Sequence, residues 1–170
     1  MSLRIGIILP KNTKEEVLDK IRQKYNLALL RFDNNYIQSK LQSDEQFFQV
    51  SEHGVDNYTG IGAYKLYTKD LAPIYKSNDL SEERKMFLLD SIKKIREGYE
   101  KDAKKWIMII KEIVLIHKIK KIGVFYFNGY TTSNEVNPQK LQRAICKIRD
   151  LNVTYMMQIK ENIIVFFIHK

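Results

Sequence analysis

The chain has 170 residues, of which 44% are hydrophobic and 29% charged, and it carries a single cysteine. These figures exclude a disordered chain, a collagen-like repeat and a disulfide-stabilised scaffold. Since a domain usually has roughly 100–200 residues, we expect one domain over residues 1–170. Cys146 fits a reducing compartment, and the short apolar segments predict no membrane span and a cytoplasmic location.

Basic residues outnumber acidic residues, and the excess lies in the second half of the chain. Lys and Arg number 29 against 20 Asp and Glu, for a net charge of +9. Residues 81–170 alone carry 18 basic and 10 acidic groups. Such an excess favours an acidic partner, either nucleic acid or an acidic protein. A/T-rich base composition is an alternative source of the lysines, because Lys, Ile, Asn, Tyr and Phe make up 73 residues.

The chain opens with two apolar runs separated by an amphipathic segment. Leu3–Leu9 and Leu27–Phe32 are predicted strands. Between them, Thr13–Tyr25 has helical periodicity, and Thr13 with Glu16 forms a predicted capping box. The opening is therefore a β-α-β unit, and its short connections predict neighbouring strands in one sheet.

The next segment is less regular and contains two predicted strands, Gln46–Val50 and Tyr58–Thr68. Gly60 and Gly62 weaken the second strand, because glycine has no side chain to pack. They indicate a bulge or a close approach of another backbone at this point.

Residues 81–118 carry apolar side chains at helical steps of three and four. One straight helix of that length would span about 57 Å, whereas a globule of this size is about 40 Å across. Gly98 lies in the middle of the run and disfavours helix. We therefore expect two helices, or a bend, near Gly98. The second piece is apolar nearly all round and is predicted to be the most buried helix.

The end of the chain predicts a β-α-β-β unit, so the fold class is α+β, with helices packed on a mixed β-sheet. The Asn137-Pro138 pair is a favourable helix start. The predicted elements are a strand at Lys121–Phe127, a helix from Asn137 to about Leu151, and strands at Val153–Lys160 and Ile163–His169 joined by a hairpin at Glu161-Asn162.

A basic cluster follows the long helical segment. The lysines between residues 93 and 111 are partly compensated by acids four positions earlier, which is typical of a solvated helix face. Lys118, Lys120 and Lys121 lack such acids in the sequence, and basic residues of the next predicted helix extend them. The predicted partner-binding residues are Lys118, Lys120, Lys121, Arg143, Lys147 and Arg149.

The polar loop Asn128–Asn137 is a candidate anion-binding site, because it leads from a strand to a predicted helix N-terminus. The candidate donors are Thr131, Thr132, Ser133 and Asn134. These residues are equally typical of turns and helix caps that satisfy their own backbone. Asn128-Gly129 is also a hairpin-turn signal, which is a third interpretation of the same loop.

Catalytic signals are sparse. Glu52, His53 and Asp56 lie on one predicted loop and have side chains suited to acid–base chemistry, but they equally fit a polar surface loop. His117 lies on an apolar helix face and is predicted to be a hydrogen-bonded core histidine. The chain has three histidines and no nucleophile-elbow, kinase or glycine-rich phosphate motif. We therefore predict no catalytic residue, metal site or cofactor.

Three functional hypotheses remain from the sequence. The first is a small intracellular, non-enzymatic binding protein that recognises nucleic acid or an acidic protein through its basic second half. The second is a cognate inhibitor or immunity-type protein that neutralises a partner protein. The third is a hydrolase or nuclease that uses His53 and Asp56. A homodimer is compatible with all three.

Overall fold

One six-stranded mixed sheet organises the molecule into an α+β fold, as predicted. The computed structural model describes residues 3–31, 35–51, 60–63, 71, 73–128 and 141–169. The strands are β1 (Leu3–Pro10), β2 (Ala28–Arg31), β3 (Glu45–Ser51), β4 (Lys121–Asn128), β5 (Gln142–Lys147) and β6 (Ile163–Ile168). The described helices include α1 (Glu15–Tyr25), α2 (Asn35–Lys40), α3 (Glu82–Lys111) and α4 (Val153–Gln158). A π-helical turn (Glu112–Ile116) continues α3, and a 3-10 turn (Ile148–Asp150) follows β5.

The strand order across the sheet is β2-β3-β1-β4-β6-β5. All neighbouring pairs are antiparallel except β5 and β6, which run parallel. The prediction that β1 and β2 share a sheet is confirmed, but the prediction that they are neighbours is wrong. β3 pairs with both of them and lies between them. The opening unit is therefore a β-α-β crossover between two parallel strands. The place between these strands is filled by β3, which comes later in the chain.

The larger core lies between the sheet and three helices, α1, α3 and α4. Leu18 of α1, Trp106 of α3 and Met156 of α4 are all at most 3% exposed and pack in this core. They meet alternate residues of the strands, such as Ile7 and Val124. Because side chains alternate along a strand, the intervening residues form the opposite face of the sheet.

The opposite face is rich in phenylalanine, and we call it the phenylalanine face. The ring centroids of Phe125 and Phe127 lie 5.2 Å apart, and those of Phe47 and Phe125 lie 5.6 Å apart. Ile37 of α2 packs on this second core, together with Phe166 of β6. The sheet is therefore covered by apolar contacts on both sides.

Close approach of another backbone, as predicted, explains Gly60, whereas Gly62 is crowded first by a side-chain ring and then by the carbonyl oxygen of Ile159. A Cβ on Gly60 would lie 2.0 Å from the carbonyl oxygen of Tyr99 in α3. A Cβ on Gly62 would lie 2.1 Å from the Tyr126 ring, and its φ of +70° suits glycine. The predicted strand over Tyr58–Thr68 is wrong at residues 60–63, which form a buried bend and turn. The remainder of that prediction lies outside the described residues.

The predicted capping box at the start of α1 is wrong. α1 begins at Glu15, with Lys14 as N-cap and no side-chain capping hydrogen bond. The amide of Thr13 donates to the carbonyl oxygen of Pro10 (3.0 Å), which holds Thr13 in the preceding turn. Glu15 and Glu16 instead place negative charge beside the helix N-terminus, where the macrodipole favours it.

The prediction of two helices between residues 81 and 118 is wrong, since α3 runs through Gly98 as one helix. Its regular α pattern ends later, at the π-helical turn, where the amide of His117 donates to the carbonyl of Glu112 (3.0 Å). The second half of α3 and the π-helical turn are buried on one side only, because Met108 of α3 and Ile116 of the turn are 55% and 67% exposed. None of the helices in the described segments combines the length and apolar composition needed to cross a membrane.

Among the described residues, the predicted β-α-β-β ending is corrected to β-β-α-β. Residues 142–147, predicted as helix, form β5, and most of Val153–Lys160, predicted as strand, forms α4. Glu161-Asn162 is a turn from α4 into β6 rather than a hairpin between strands. The strand predictions for β1, β2, β3, β4 and β6 are confirmed within one or two residues at each end.

Candidate functional site

The structure brings most of the predicted basic residues to one end of the sheet. Lys121 at the start of β4 and Lys147 at the end of β5 both pair with Ile168 of β6. Since neighbouring strands lie about 4.8 Å apart, the two backbones are about 10 Å apart. Lys118 and Lys120 immediately precede β4, and Arg149 follows β5 in the 3-10 turn.

Four of these residues, which we call the sheet-end cluster, present their charge to solvent: Lys118, Lys120, Lys147 and Arg149. Arg149 is 75% exposed, and its Nε lies 3.7 Å from Asp150 Oδ1. Within the described part of the chain, the three lysines form no ion pair. The sheet-end cluster is therefore a local excess of positive charge.

Lys121 and Arg143 have a different environment, because both bind the buried carboxylate of Glu45. Lys121 Nζ lies 2.8 Å from Glu45 Oε1, and Arg143 Nη2 binds the same oxygen. The Glu45 side chain has no solvent exposure. The sequence argument that no acid lies near Lys121 is thus wrong, because the sheet brings β3 to it from far along the chain.

The contacts around Glu45 keep it charged. Burial acts to raise the pKa of Glu45, but hydrogen bonds from Lys121, the Gln42 amide and Arg143 outweigh burial and hold that pKa below its ordinary range. The two cations also lie over the Phe166 ring, at 5.4 Å for Lys121 Nζ and 4.4 Å for Arg143 Cζ. This arrangement joins β3, β4, β5 and β6 on the phenylalanine face, so these two cations primarily stabilise the sheet.

A groove between the end of α1 and the end of α3 is a second candidate surface, and the sequence did not reveal it. It has a volume of about 690 Å³. One wall is Lys24–Asn26. The other wall consists of residues of α3 and the π-helical turn: Lys105, Met108, Lys111, Glu112, Leu115 and Ile116. We call it the α1–α3 groove.

Glu112 forms the polar floor of the α1–α3 groove and ties its two walls together. Lys24 Nζ and Tyr25 Oη each donate to Glu112 Oε2 at 2.6 Å. Burial acts to raise the pKa of Glu112, but the hydrogen bonds from Lys24 and Tyr25 outweigh burial and lower it. Burial, together with the bond to Glu112, raises the pKa of Tyr25 to about 12, so this hydroxyl stays protonated as a donor.

His117 closes the π-helical turn beside Glu112. The sequence predicts a hydrogen-bonded core histidine, but among the described residues its Nε2 has no hydrogen-bond partner and lies 3.7 Å from Glu112 Oε1. Its side chain is 14% exposed. π-Helical turns often occur at functional sites, which draws attention to this end of α3.

The other predicted sites receive no structural support. The candidate anion loop, with Thr131, Thr132, Ser133 and Asn134, lies outside the described residues, as do His53 and Asp56. Within the described segments, no group of three or more His, Cys, Asp and Glu side chains is arranged to hold a metal ion.

The single cysteine is unsuited to nucleophilic chemistry. Cys146 is buried on β5, and burial raises the pKa of its thiol. The reactive species of cysteine is the thiolate, which a raised pKa makes scarce at neutral pH.

Comparison with protein-family models, with curated proteins and with solved structures finds no match to this chain.

Proposed function

We propose that this protein is a non-enzymatic binding protein that recognises an acidic macromolecule through the sheet-end cluster. The observation that carries the proposal is the convergence of the cluster at one end of the sheet. Lys118 and Lys120 enter β4 there, and Lys147 and Arg149 leave β5 there. Lys147 is the last residue of β5, and the other three residues lie within three positions of a strand end. Positive charge gathered in this way attracts an acidic partner and helps to orient it.

Direct titration tests this proposal. Labelled single- and double-stranded RNA and DNA, and polyglutamate as an acidic polypeptide, are titrated with the protein at two salt concentrations. Lys118→Glu with Lys120→Glu should weaken binding to the preferred probe by at least about tenfold. For a nucleic acid, losing two phosphate contacts should reduce the log–log salt slope by about 1.4–1.8.

A matched control separates the site from the net charge. Lys93→Glu with Lys94→Glu makes the same charge change at two exposed lysines of α3. These lysines lie about 25 Å along the helix from its end at Lys111, and so far from the sheet-end cluster. We expect that control to bind within about threefold of the wild type, since exposed charges more than a Debye length apart are largely screened. Equal weakening by the two double variants, or no binding of the wild type to any probe at low salt, would overturn the proposal.

A further inference from the structure

The α1–α3 groove exposes apolar side chains that a folded protein normally buries. Met108, Leu115 and Ile116 are 55%, 41% and 67% exposed, and all three line the groove. Apolar side chains that are grouped in a groove and rimmed by polar groups are typical of a binding surface.

The shape of the groove suits a helix. Met108, Glu112 and Leu115 follow one another at steps of four and three, so they form a stripe along one side of α3 and its π-helical turn. From Lys105 to Ile116 the stripe is about 17 Å long, which corresponds to about three turns of a helix laid beside it. A helix that packs there would present its own residues at the same three- and four-residue spacing.

The charge around the groove selects an acidic occupant. Lys24, Lys105 and Lys111 line the groove with Glu112 as the acidic residue among them. A second copy of this chain would bring these lysines against their own equivalents, and such like-charge contacts disfavour a dimer here. Nucleic acid is also disfavoured, because Tyr25 is the one aromatic residue among those that line the groove, whereas a strand of bases needs successive rings on which to stack.

We propose that the α1–α3 groove docks an amphipathic α-helix of an acidic partner protein, with apolar residues on Met108, Leu115 and Ile116 and acidic residues beside Lys105 and Lys111. This inference rests on the proposed function, since it identifies the acidic partner as a protein. The groove is preformed, because Glu112 binds Lys24 and Tyr25 and thereby fixes one wall against the other. A preformed surface loses less conformational freedom on binding.

The test uses defined peptides and the full chain. The probe is a labelled helical peptide of about 18 residues, or five turns, with Leu at helical spacing along one face and Glu on both sides of it. Its counterpart carries Lys in place of every Glu. By fluorescence anisotropy, we expect the acidic peptide to bind at least about tenfold more tightly than the basic one at low salt.

Matched substitutions on α3 locate the binding site. Met108→Asp lies in the groove, and Met86→Asp makes the same change on the same helix at a similarly exposed residue outside it. We expect the groove variant to bind the acidic peptide at least about tenfold more weakly, and the control to bind within about twofold. Lys111→Glu and Lys93→Glu form a second pair with the same expected contrast. Thermal unfolding of each pair checks that both members are folded.

The outcomes separate this inference from the proposed function. Equal binding of both peptides, or equal weakening by Met108→Asp and Met86→Asp, overturns the groove as the docking site, whatever the sheet-end variants do. Loss of peptide binding in the groove variants alone supports the inference, even if no probe binds the sheet-end cluster. A hydrogen-exchange footprint of the peptide confined to the sheet end would also overturn it.

Discussion

Glu45 shows how a single buried carboxylate holds distant strands together. An isolated buried charge is unstable, so its stability depends on the partners that replace water. Lys121, Arg143 and the amide of Gln42 all donate to it. Arg143 also donates to the carbonyl of Lys40 at 3.1 Å, which extends the contact to the end of α2.

We expect Glu45→Gln to lower the free energy of unfolding by about 2–3 kcal/mol at pH 7, because it removes the charge that Lys121 and Arg143 share. Lys121 then keeps only the more distant carboxylate of Asp44, at 3.8 Å. Lys121 and Arg143 are 24% and 33% exposed, so water offsets part of the loss. Urea denaturation measures the change. A loss below about 0.5 kcal/mol would show that this ion cluster contributes little to stability.

The same variant should change the acid response of the protein. The pKa values of Glu45 and Glu112 are both lower in the folded protein than their ordinary value of 4.5. Their contribution to stability is therefore complete above pH 4.5 and is lost as the pH falls through the lowered values. Glu45→Gln removes one of these two contributions, so its stability should fall less steeply below pH 4.5 than that of the wild type. Urea titrations at a series of pH values provide the test.

At the scale of the element, the second half of α3 stabilises the protein through the one side that packs in the main core. Trp106 is 3% exposed in the main core, whereas Met108, two residues later, faces the α1–α3 groove. We expect Trp106→Ala to cost about 3–5 kcal/mol, as for other buried aromatic residues. Met108→Ala should change stability by no more than about 0.5 kcal/mol. A similar cost for both substitutions in denaturant titration would contradict this assignment of faces.

Substitution of Gly98, unlike that of Trp106, is expected to raise the stability of the protein. It lies inside the continuous helix α3, and a Cβ there would meet no atom within 4 Å. Gly98→Ala should therefore stabilise the protein by about 0.5–1 kcal/mol through the lower entropy of the unfolded chain and better helix propensity. Destabilisation in the same titration would mean that the helix is distorted at this residue.

The element predictions failed where the periodic pattern was short or ambiguous. Leu141, Ile145 and Ile148 are spaced as on one side of a helix, but β5 buries Cys146 and leaves Ile145 71% exposed. The helix interpretation omitted Cys146, which shares the strand's inner face with Ala144 and is followed by buried Ile148 in the 3-10 turn. This segment forms a strand because it pairs with β6, which lies later in the chain, and its own local sequence does not encode that pairing.

α4 shows the opposite error. Val153–Gln158 is rich in β-branched and apolar residues, which favours a strand by composition. The missed signal is Asn152, whose Oδ1 accepts a hydrogen bond from the Tyr155 amide at 2.9 Å and caps the helix.

For the candidate sites, Lys118–Lys121 could be located from the sequence. Glu45 and the α1–α3 groove could not, because both are assembled from segments far apart in the chain.

At the scale of the whole molecule, the sheet divides two apolar cores, and its central strands belong to both. β1 and β4 each have a paired strand on either side, whereas β2 and β5 each have one. Opening the centre of the sheet requires both cores to separate. We expect the slowest amide hydrogen exchange in β1 and β4, at rates at least about tenfold below those of β2 and β5. Equal protection in all strands would mean that the sheet opens only as a unit.

The pairing of β1 with β4 also has a consequence for biosynthesis. Leu3 pairs with Asn128 and Ile8 with Gly123, so the two central strands leave the ribosome over a hundred residues apart. At about 5–20 residues per second, that separation lasts roughly 5–20 s. During this interval β1 can pair with β3, but its other edge lacks β4 and presents unpaired backbone groups beside Ile5 and Ile7. The nascent chain is therefore most vulnerable to edge-to-edge association before its second half, with the larger positive charge, has been made.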